Sequence, residues 1–248
     1  MGAPRAIALC QCFNGALEFQ AGHWAEAETV LRESLRLYHE LGAASGEALA
    51  LQRLGTLLTA RGRLDEAMAL LEEGVVVAGR ASMRAHCLTR LYASMTRNRL
   101  MAGEIEAAKH YLTLGLAMSG RHGHCATCHA LLYPVAVSIQ IAHANFSQAE
   151  DSCQRLEKAA QEYQSLAWWA MARQARGELA AAQGDFESAM ICYDQASQAF
   201  KATGNQYDAA HCLMAMAKIR QKRQAPQDLE KAKAEATEAR LMLERLVA

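Results

Sequence analysis

One short segment carries the residue types for metal or redox chemistry. His122-Gly-His124-Cys125-Ala-Thr-Cys128-His129 puts two thiols and three imidazoles into eight residues. Two thiolates with one or two imidazoles make the donor set of a tetrahedral zinc site. On a helix, Cys125, Cys128 and His129 fall at i, i+3 and i+4 and so share a face. His124 or His122 would then fold back as a further ligand. Cys-x-x-Cys is equally the spacing of a redox pair, because a helix N-terminus lowers a thiol pKa. The form Cys-x-x-Cys-His also matches c-type haem attachment, which needs export, and no export signal is visible in the sequence. A structural zinc site usually shows a second pair of ligands. His86-Cys87 would supply them if neighbouring helices bring it within reach. The residues alone leave three readings open: a zinc site, a redox pair, or buried thiols that only pack. Packing is the expectation for Cys10, Cys12, Cys153, Cys192 and Cys212, which sit in helical apolar patterns where a free cysteine behaves as a small hydrophobe.

No other constellation points to chemistry. The chain has no Gly-rich phosphate loop, no Gly-x-Ser-x-Gly elbow and no His-Glu-x-x-His pair of metal ligands. Its paired carboxylates, such as Glu72 and Glu73, fall on polar helix faces. The expectation is a protein that binds rather than catalyses, without a cofactor unless the Cys/His segment holds zinc.

The elements that must position these residues follow from a repeat. The pattern Gly-x-φ-x-x-Ala, with φ bulky and apolar, begins at Gly22, Gly62, Gly103, Ala144 and Gly184, and its last residue falls at Ala27, Ala67, Ala108, Ala149 and Ala189. The steps are 40, 41, 41 and 40 residues. A fixed period of this size means stacked supersecondary units. Within a period, apolar residues recur at helical spacing twice. Leu49, Leu51, Leu54, Leu57 and Leu58 predict a helix over 46–60, and Leu64, Ala67, Leu70 and Leu71 predict its antiparallel partner over 64–78. Gly62 is the C-terminal cap between them. Twelve positions before the signature alanine stand Gly15, Gly55, Thr96, Val137 and Gly177, where the partner helix must come close. Four positions after it stand Leu31, Leu71, Leu112, Cys153 and Tyr193, expected to fill the groove between hairpins. Pro134 lies inside an expected helix, where it removes one hydrogen bond and predicts a kink or a delayed start. A sixth, degenerate unit has helices at 206–223 and from 228 to about 246.

A small residue, then alanine twelve on and a large residue four beyond that, is the spacing by which the chain resembles the tetratricopeptide repeat family over nearly its whole length. The implied fold is all-α, a right-handed superhelical solenoid of about six antiparallel helical hairpins. The units are approximately 5–41, 45–80, 82–119, 125–163, 166–203 and 206–247, and together they form a single domain. The units exceed the family's usual length, and in this they resemble the sensor region of large bacterial LuxR-type (MalT-like) and AfsR-type transcription regulators. That likeness implies a part in signalling. The chain carries neither a nucleotide-binding core nor a DNA-binding helix-turn-helix, so the expectation is a fragment or a stand-alone adaptor.

In that family the first helix of each hairpin lines a concave binding surface. The matching positions here include Gln52, Thr56, Arg90, Arg97, Ser138, Gln174 and Glu178. Arg90 and Arg97, two turns apart, suit an acidic side chain or terminal carboxylate. The specialised peptide-carboxylate clamp of chaperone-binding members needs Lys and Asn where Cys12 and Ala16 stand, so it is excluded. Of Trp168-Trp169, one ring can face the core while the other meets solvent, where it would be a candidate anchor for a partner, although core packing of both is the commoner outcome.

Bulk composition agrees with a binding scaffold. Lys plus Arg equals 26 and Asp plus Glu equals 26, which gives no general attraction to nucleic acid or an acidic membrane. No run reaches the ~18 apolar residues of a membrane span. The expectation is a cytoplasmic chain with a protein or peptide partner, or else a small-molecule ligand in the groove.

Overall fold

The computed structural model describes residues 3–123, 125–223 and 226–247. Its described residues form twelve α-helices and no strand. They are α1 (Pro4–Ala21), α2 (Trp24–Glu40), α3 (Ala44–Ala60), α4 (Leu64–Ala78), α5 (Arg84–Met101), α6 (Ile105–His122), α7 (Ala126–Ala142), α8 (Phe146–Glu162), α9 (Leu166–Ala182), α10 (Phe186–Ala202), α11 (Gln206–Arg223) and α12 (Asp228–Val247). Each odd-numbered helix and the even-numbered helix after it make one hairpin. No helix is long and apolar enough to cross a membrane among the described residues.

The signature is legible as geometry. In the second hairpin Gly62 takes φ +75°, a left-handed conformation that a side chain resists. The amide of Arg63 then donates to the Leu58 carbonyl at 2.9 Å and that of Gly62 to Thr59 at 3.0 Å. These two bonds are the Schellman ending of a helix. The same pair recurs at Gly103 and Glu104, at Ala144 and Asn145, and at Gly184 and Asp185. The bulky residue starts the next helix, and the alanine one turn further is fully buried in all five copies.

The small residue of the first helix makes a notch. A Cβ on Gly55 would lie 2.6 Å from Leu71 Cγ and 3.3 Å from the Ala67 carbonyl oxygen. Gly15 stands in the same relation to Leu31 and Ala27. The large residue after the signature therefore seats first in the notch of its own hairpin, whereas the spacing suggested the groove between hairpins. Leu71 also joins the wider cluster of Leu51, Leu88, Leu91 and Met95, so it serves both.

The chain divides into two compact units. One comprises Met1–Phe19 with His23–Val135, and the other Gln20–Gly22 with Ala136–Ala248. The core of the first centres on leucines and methionines of α3, α4 and α5. That of the second centres on Tyr193, Phe200, Leu213, Met216 and Ile219 of α10 and α11, interleaved with alanines.

Pro134 neither delays nor ends its helix. α7 begins at Ala126 and runs through Pro134 to Ala142. Leu132, Val135, Ala136, Val137 and Ile139 are all buried around it. Burial of a helix face holds the element together after a single hydrogen bond is lost.

Candidate functional site

Helices α3 and α5 lie side by side, and each presents polar residues one turn apart. On α3 these are Gln52 and Thr56, and on α5 Arg90 and Ser94. Gln52 Nε2 donates to Ser94 Oγ at 2.8 Å and to Thr56 Oγ1 at 3.0 Å. The Thr56 and Ser94 hydroxyls are 2.9 Å apart, and Thr56 also donates to the Gln52 carbonyl at 2.9 Å. Arg90 Nη2 reaches Gln52 Oε1 only at 3.5 Å, and its buried Nε has no partner. Burial, with Arg53 nearby, pulls the Arg90 pKa below its usual value, and the thiols of Cys128, Cys125 and Cys87 act in the opposite direction. Arg90 is thus an enclosed cation whose hydrogen-bonding capacity is only partly used.

This polar cluster borders a cavity of about 610 Å³, the size that takes a small ligand or a few side chains. Its wall includes Tyr38, Leu49, Gln52, His86, Cys87 and Arg90, together with residues 42–46 and 80–83. These two segments lead into the N-termini of α3 and α5, where the helix dipole favours negative charge. Three arginines line the cavity, Arg5, Arg80 and Arg90, and no carboxylate does among the described residues. Arg80 stands 4.0 Å from buried Glu47, whose other partner is His39 at 2.8 Å.

Beside the cavity, in the first turns of α5 and α7, lies the Cys/His cluster. His86, Cys125 and Cys128 each offer a ligand atom, and these atoms all lie within 4.8 Å of one another. His86 Nδ1 is 3.3 Å from Cys128 Sγ. Burial pushes the Cys128 thiol up to about 12, assisted by Cys125. Burial acts on Cys125 in the same direction, but hydrogen bonds from Thr127 and from the amides of Cys128 and Thr127 outweigh it, and its pKa is lowered.

The expected site residues divide accordingly. Gln52, Thr56 and Arg90 meet in the first unit. Arg97 is half-buried and does not line the cavity, so the two arginines do not act there as a pair. Ser138 and Glu178 meet in the second unit, where the serine donates to the carboxyl group at 2.9 Å. Gln174 is half-buried and joins neither cluster. Cys125 and Cys128 come together, but the third donor is His86. His129 instead packs its ring 4.9 Å from that of Tyr133, one turn along α7. His129 shares the first turn with Cys125, its amide donating to the Cys125 carbonyl at 3.0 Å, but its ring does not join the cluster. His124 lies outside the described residues. Trp168 is half-buried and packs on Tyr163 at 5.3 Å, while Trp169 is exposed, so the two rings are not both packed in the core. Ser94, Arg5 and Arg80 had no signal in the repeat: Ser94 reads as a small packing residue, and the two arginines lie outside the helix positions that define the concave face.

The chain matches no protein-family model, and no curated protein is similar to it in sequence. Solved structures are similar in fold. The Rap protein complexed with competence and sporulation factor gives a TM-score of 0.76 at 14% identity, covering 99% of this chain and 67% of that one. BtubC (BKLC) from P. vanneervenii gives 0.56 at 19% identity, covering 91% and 90%. A tetratricopeptide repeat protein from Parabacteroides merdae ATCC 43184 gives 0.47 at 14% identity, covering 99% and 98%. The chain therefore shares the all-α, hairpin-repeat fold of Rap and BtubC.

Proposed function

We propose that this chain is a non-catalytic scaffold that binds a protein or peptide, and that the cavity between α1, α3 and α5 receives an acidic group of that partner. The observation that carries this reading is the wall of the cavity: three arginines, two helix N-termini and, among the described residues, no carboxylate. A carboxylate entering there would meet the under-used guanidinium of Arg90, and charge-assisted hydrogen bonds of this kind are about twice as strong as neutral ones. The Gln52–Thr56–Ser94 cluster holds the α3 and α5 backbones in register, so the cation is already placed before the partner arrives. The Rap protein, whose fold is similar, was solved with competence and sporulation factor. Together with the length of the repeat units, this supports a signalling role, as the sensor or adaptor part of a bacterial regulator.

The test is an array of short peptides that vary in acidic content and in free or amidated C-terminus, probed with the purified chain and with an Arg80→Ala/Arg90→Ala variant. Acidic peptides should be retained by the parent chain and bind the variant about 10-fold or more weakly, with affinity falling as salt rises. Retention of neutral peptides alone, or equal retention by the variant, would refute the reading.

A further inference from the structure

We infer that His86, Cys125 and Cys128 form a binding site for a thiophilic divalent cation of the zinc type, bridging the starts of α5 and α7. This site is independent of the partner in the cavity. Three features carry it. First, the donors are the right ones: two thiols and an imidazole suit zinc, whereas calcium and magnesium take oxygen. Second, the three ligand atoms converge from two helices that are distant in sequence, all within 4.8 Å of one another. Tetrahedral zinc with ordinary bond lengths needs ligand atoms separated by about 3.5–3.8 Å. The 3.3 Å from His86 Nδ1 to Cys128 Sγ is already near that, and the other separations need only a small side-chain adjustment. Third, Cys128 is fully buried while Cys125 and His86 are partly accessible, so the cluster has both an enclosed floor and an entry side.

Charge balance is compatible with the cation. Zinc binding displaces the thiol protons, and two thiolates with a neutral imidazole cancel the charge of the ion. Arg90, which interacts with both thiols, opposes a bare dication but is at ease beside a neutral zinc–dithiolate centre. Among the described residues three donors converge here, one fewer than the four of a tetrahedral site. His86 also lines the arginine-rich cavity.

The experiment uses the full chain, purified under reducing conditions, exposed to zinc chloride and desalted, with metal measured by elemental analysis. A parallel sample receives cobalt chloride and is read by absorption. The expected result is stoichiometric zinc, together with intense visible d–d bands and a near-ultraviolet thiolate-to-cobalt charge-transfer band. His86→Ala and Cys125→Ser should weaken zinc at least as much as the ~10–100-fold that loss of an outer-shell partner costs. Cys10→Ser, at an exposed cysteine outside the cluster, should keep full affinity. No retained zinc, cobalt spectra without the charge-transfer band, or unchanged affinity in His86→Ala and Cys125→Ser would each overturn the site. The cobalt spectrum of the parent chain decides the matter even if a variant fails to fold. Isolation of a Cys125–Cys128 disulfide that re-forms after reduction and excludes zinc would also overturn it, in favour of a redox pair.

Discussion

Ser138 donates a 2.9 Å hydrogen bond to the carboxyl group of Glu178 from the neighbouring first helix of the second unit. Part of the glutamate remains accessible, but its carboxyl group is enclosed. Burial pushes its pKa up to about 7, against the smaller lowering by Ser138. Burial, followed by the Glu178 charge, also pushes the Tyr193 hydroxyl upward. The folded chain thus holds a proton that the unfolded chain releases near its ordinary value of 4.5. Stability falls as pH rises between those two values and levels off above the higher one. Glu178→Gln should abolish that slope: no difference from the parent near pH 4, and a gain of about 1–3 kcal/mol above pH 7. Urea unfolding across that range checks it, and an unchanged slope in the variant would show that Glu178 is not the group responsible.

Ala144 occupies the turn position that glycine holds in four of the five signature copies, with φ +56°. Its turn keeps the Schellman bonds, Asn145 to the Gln140 carbonyl at 2.8 Å and Ala144 to Ile141 at 2.9 Å. The strain therefore lies in the backbone of alanine and not in a lost hydrogen bond. A left-handed conformation disfavours a side chain by about 1–2 kcal/mol, and glycine gives part of that back through unfolded-state entropy. Ala144→Gly should raise stability by about 0.5–1 kcal/mol. Gly62→Ala, the reverse exchange in the second hairpin, should lower it by about 1 kcal/mol. Thermal melts of the two single variants must move in opposite directions for the assignment to hold.

The notch at Gly55 predicts an overpacking penalty. A methyl group there would meet Leu71 Cγ at 2.6 Å with the Ala67 carbonyl behind it, and Leu71 is fully buried with nowhere to retreat. Gly55→Ala should destabilise by about 1–3 kcal/mol despite the better helix propensity of alanine. Ala67→Leu and Ala108→Leu, at fully buried signature positions, should cost a similar ~1–3 kcal/mol. By contrast, Gly120→Ala, where a Cβ would meet open space, should stabilise slightly. Equal effects at Gly55 and Gly120 would mean that the hairpin does not close as tightly as these distances state.

The fold was legible because its demands are local and repeat. A left-handed turn asks for glycine, a close helix crossing asks for glycine or alanine, and the partner that fills it asks for a large side chain. Each demand appears at fixed spacing. Of the kink or delayed start that Pro134 predicts, the delay does not occur, because its local penalty is visible in sequence whereas the compensating burial of Leu132, Val137 and Ile139 is not. The candidate site was half legible for a related reason. Gln52, Thr56 and Arg90 are implied by the resemblance to the tetratricopeptide repeat, but the third donor of the Cys/His cluster depends on which residue of α5 faces the start of α7. Sequence spacing suggested His86-Cys87 as a conditional source, and only the helix packing selects His86. His129 was drawn to its own neighbour Tyr133 at i+4, a contact that helical geometry makes available at every such pair.

Asn98 shows how a polar side chain can latch one hairpin to the next. It is fully buried on α5. Its Nδ2 donates to Thr59 Oγ1 at 3.1 Å and to the Leu64 carbonyl at 3.0 Å. Thr59 in turn donates to the Gly55 carbonyl at 2.8 Å. One amide therefore spans both helices of the preceding hairpin at their shared turn, while its own Oδ1 has no partner. Removing the amide breaks both hydrogen bonds at once, the one to Thr59 Oγ1 and the second donation to the Leu64 carbonyl, which keeps its intrahelical bond from Met68. Asn98→Ala should lose about 1–3 kcal/mol, more than an average surface change and without altering helix content. Asn98→Asp should do worse near neutral pH, because it replaces the two donations with a buried charge facing a carbonyl oxygen. That deficit should shrink as acid protonates the new carboxyl group. Denaturant midpoints of both variants at neutral and acid pH test the latch, and an Asn98→Asp variant as stable as the parent at neutral pH would show that these two hydrogen bonds do not stabilise the fold.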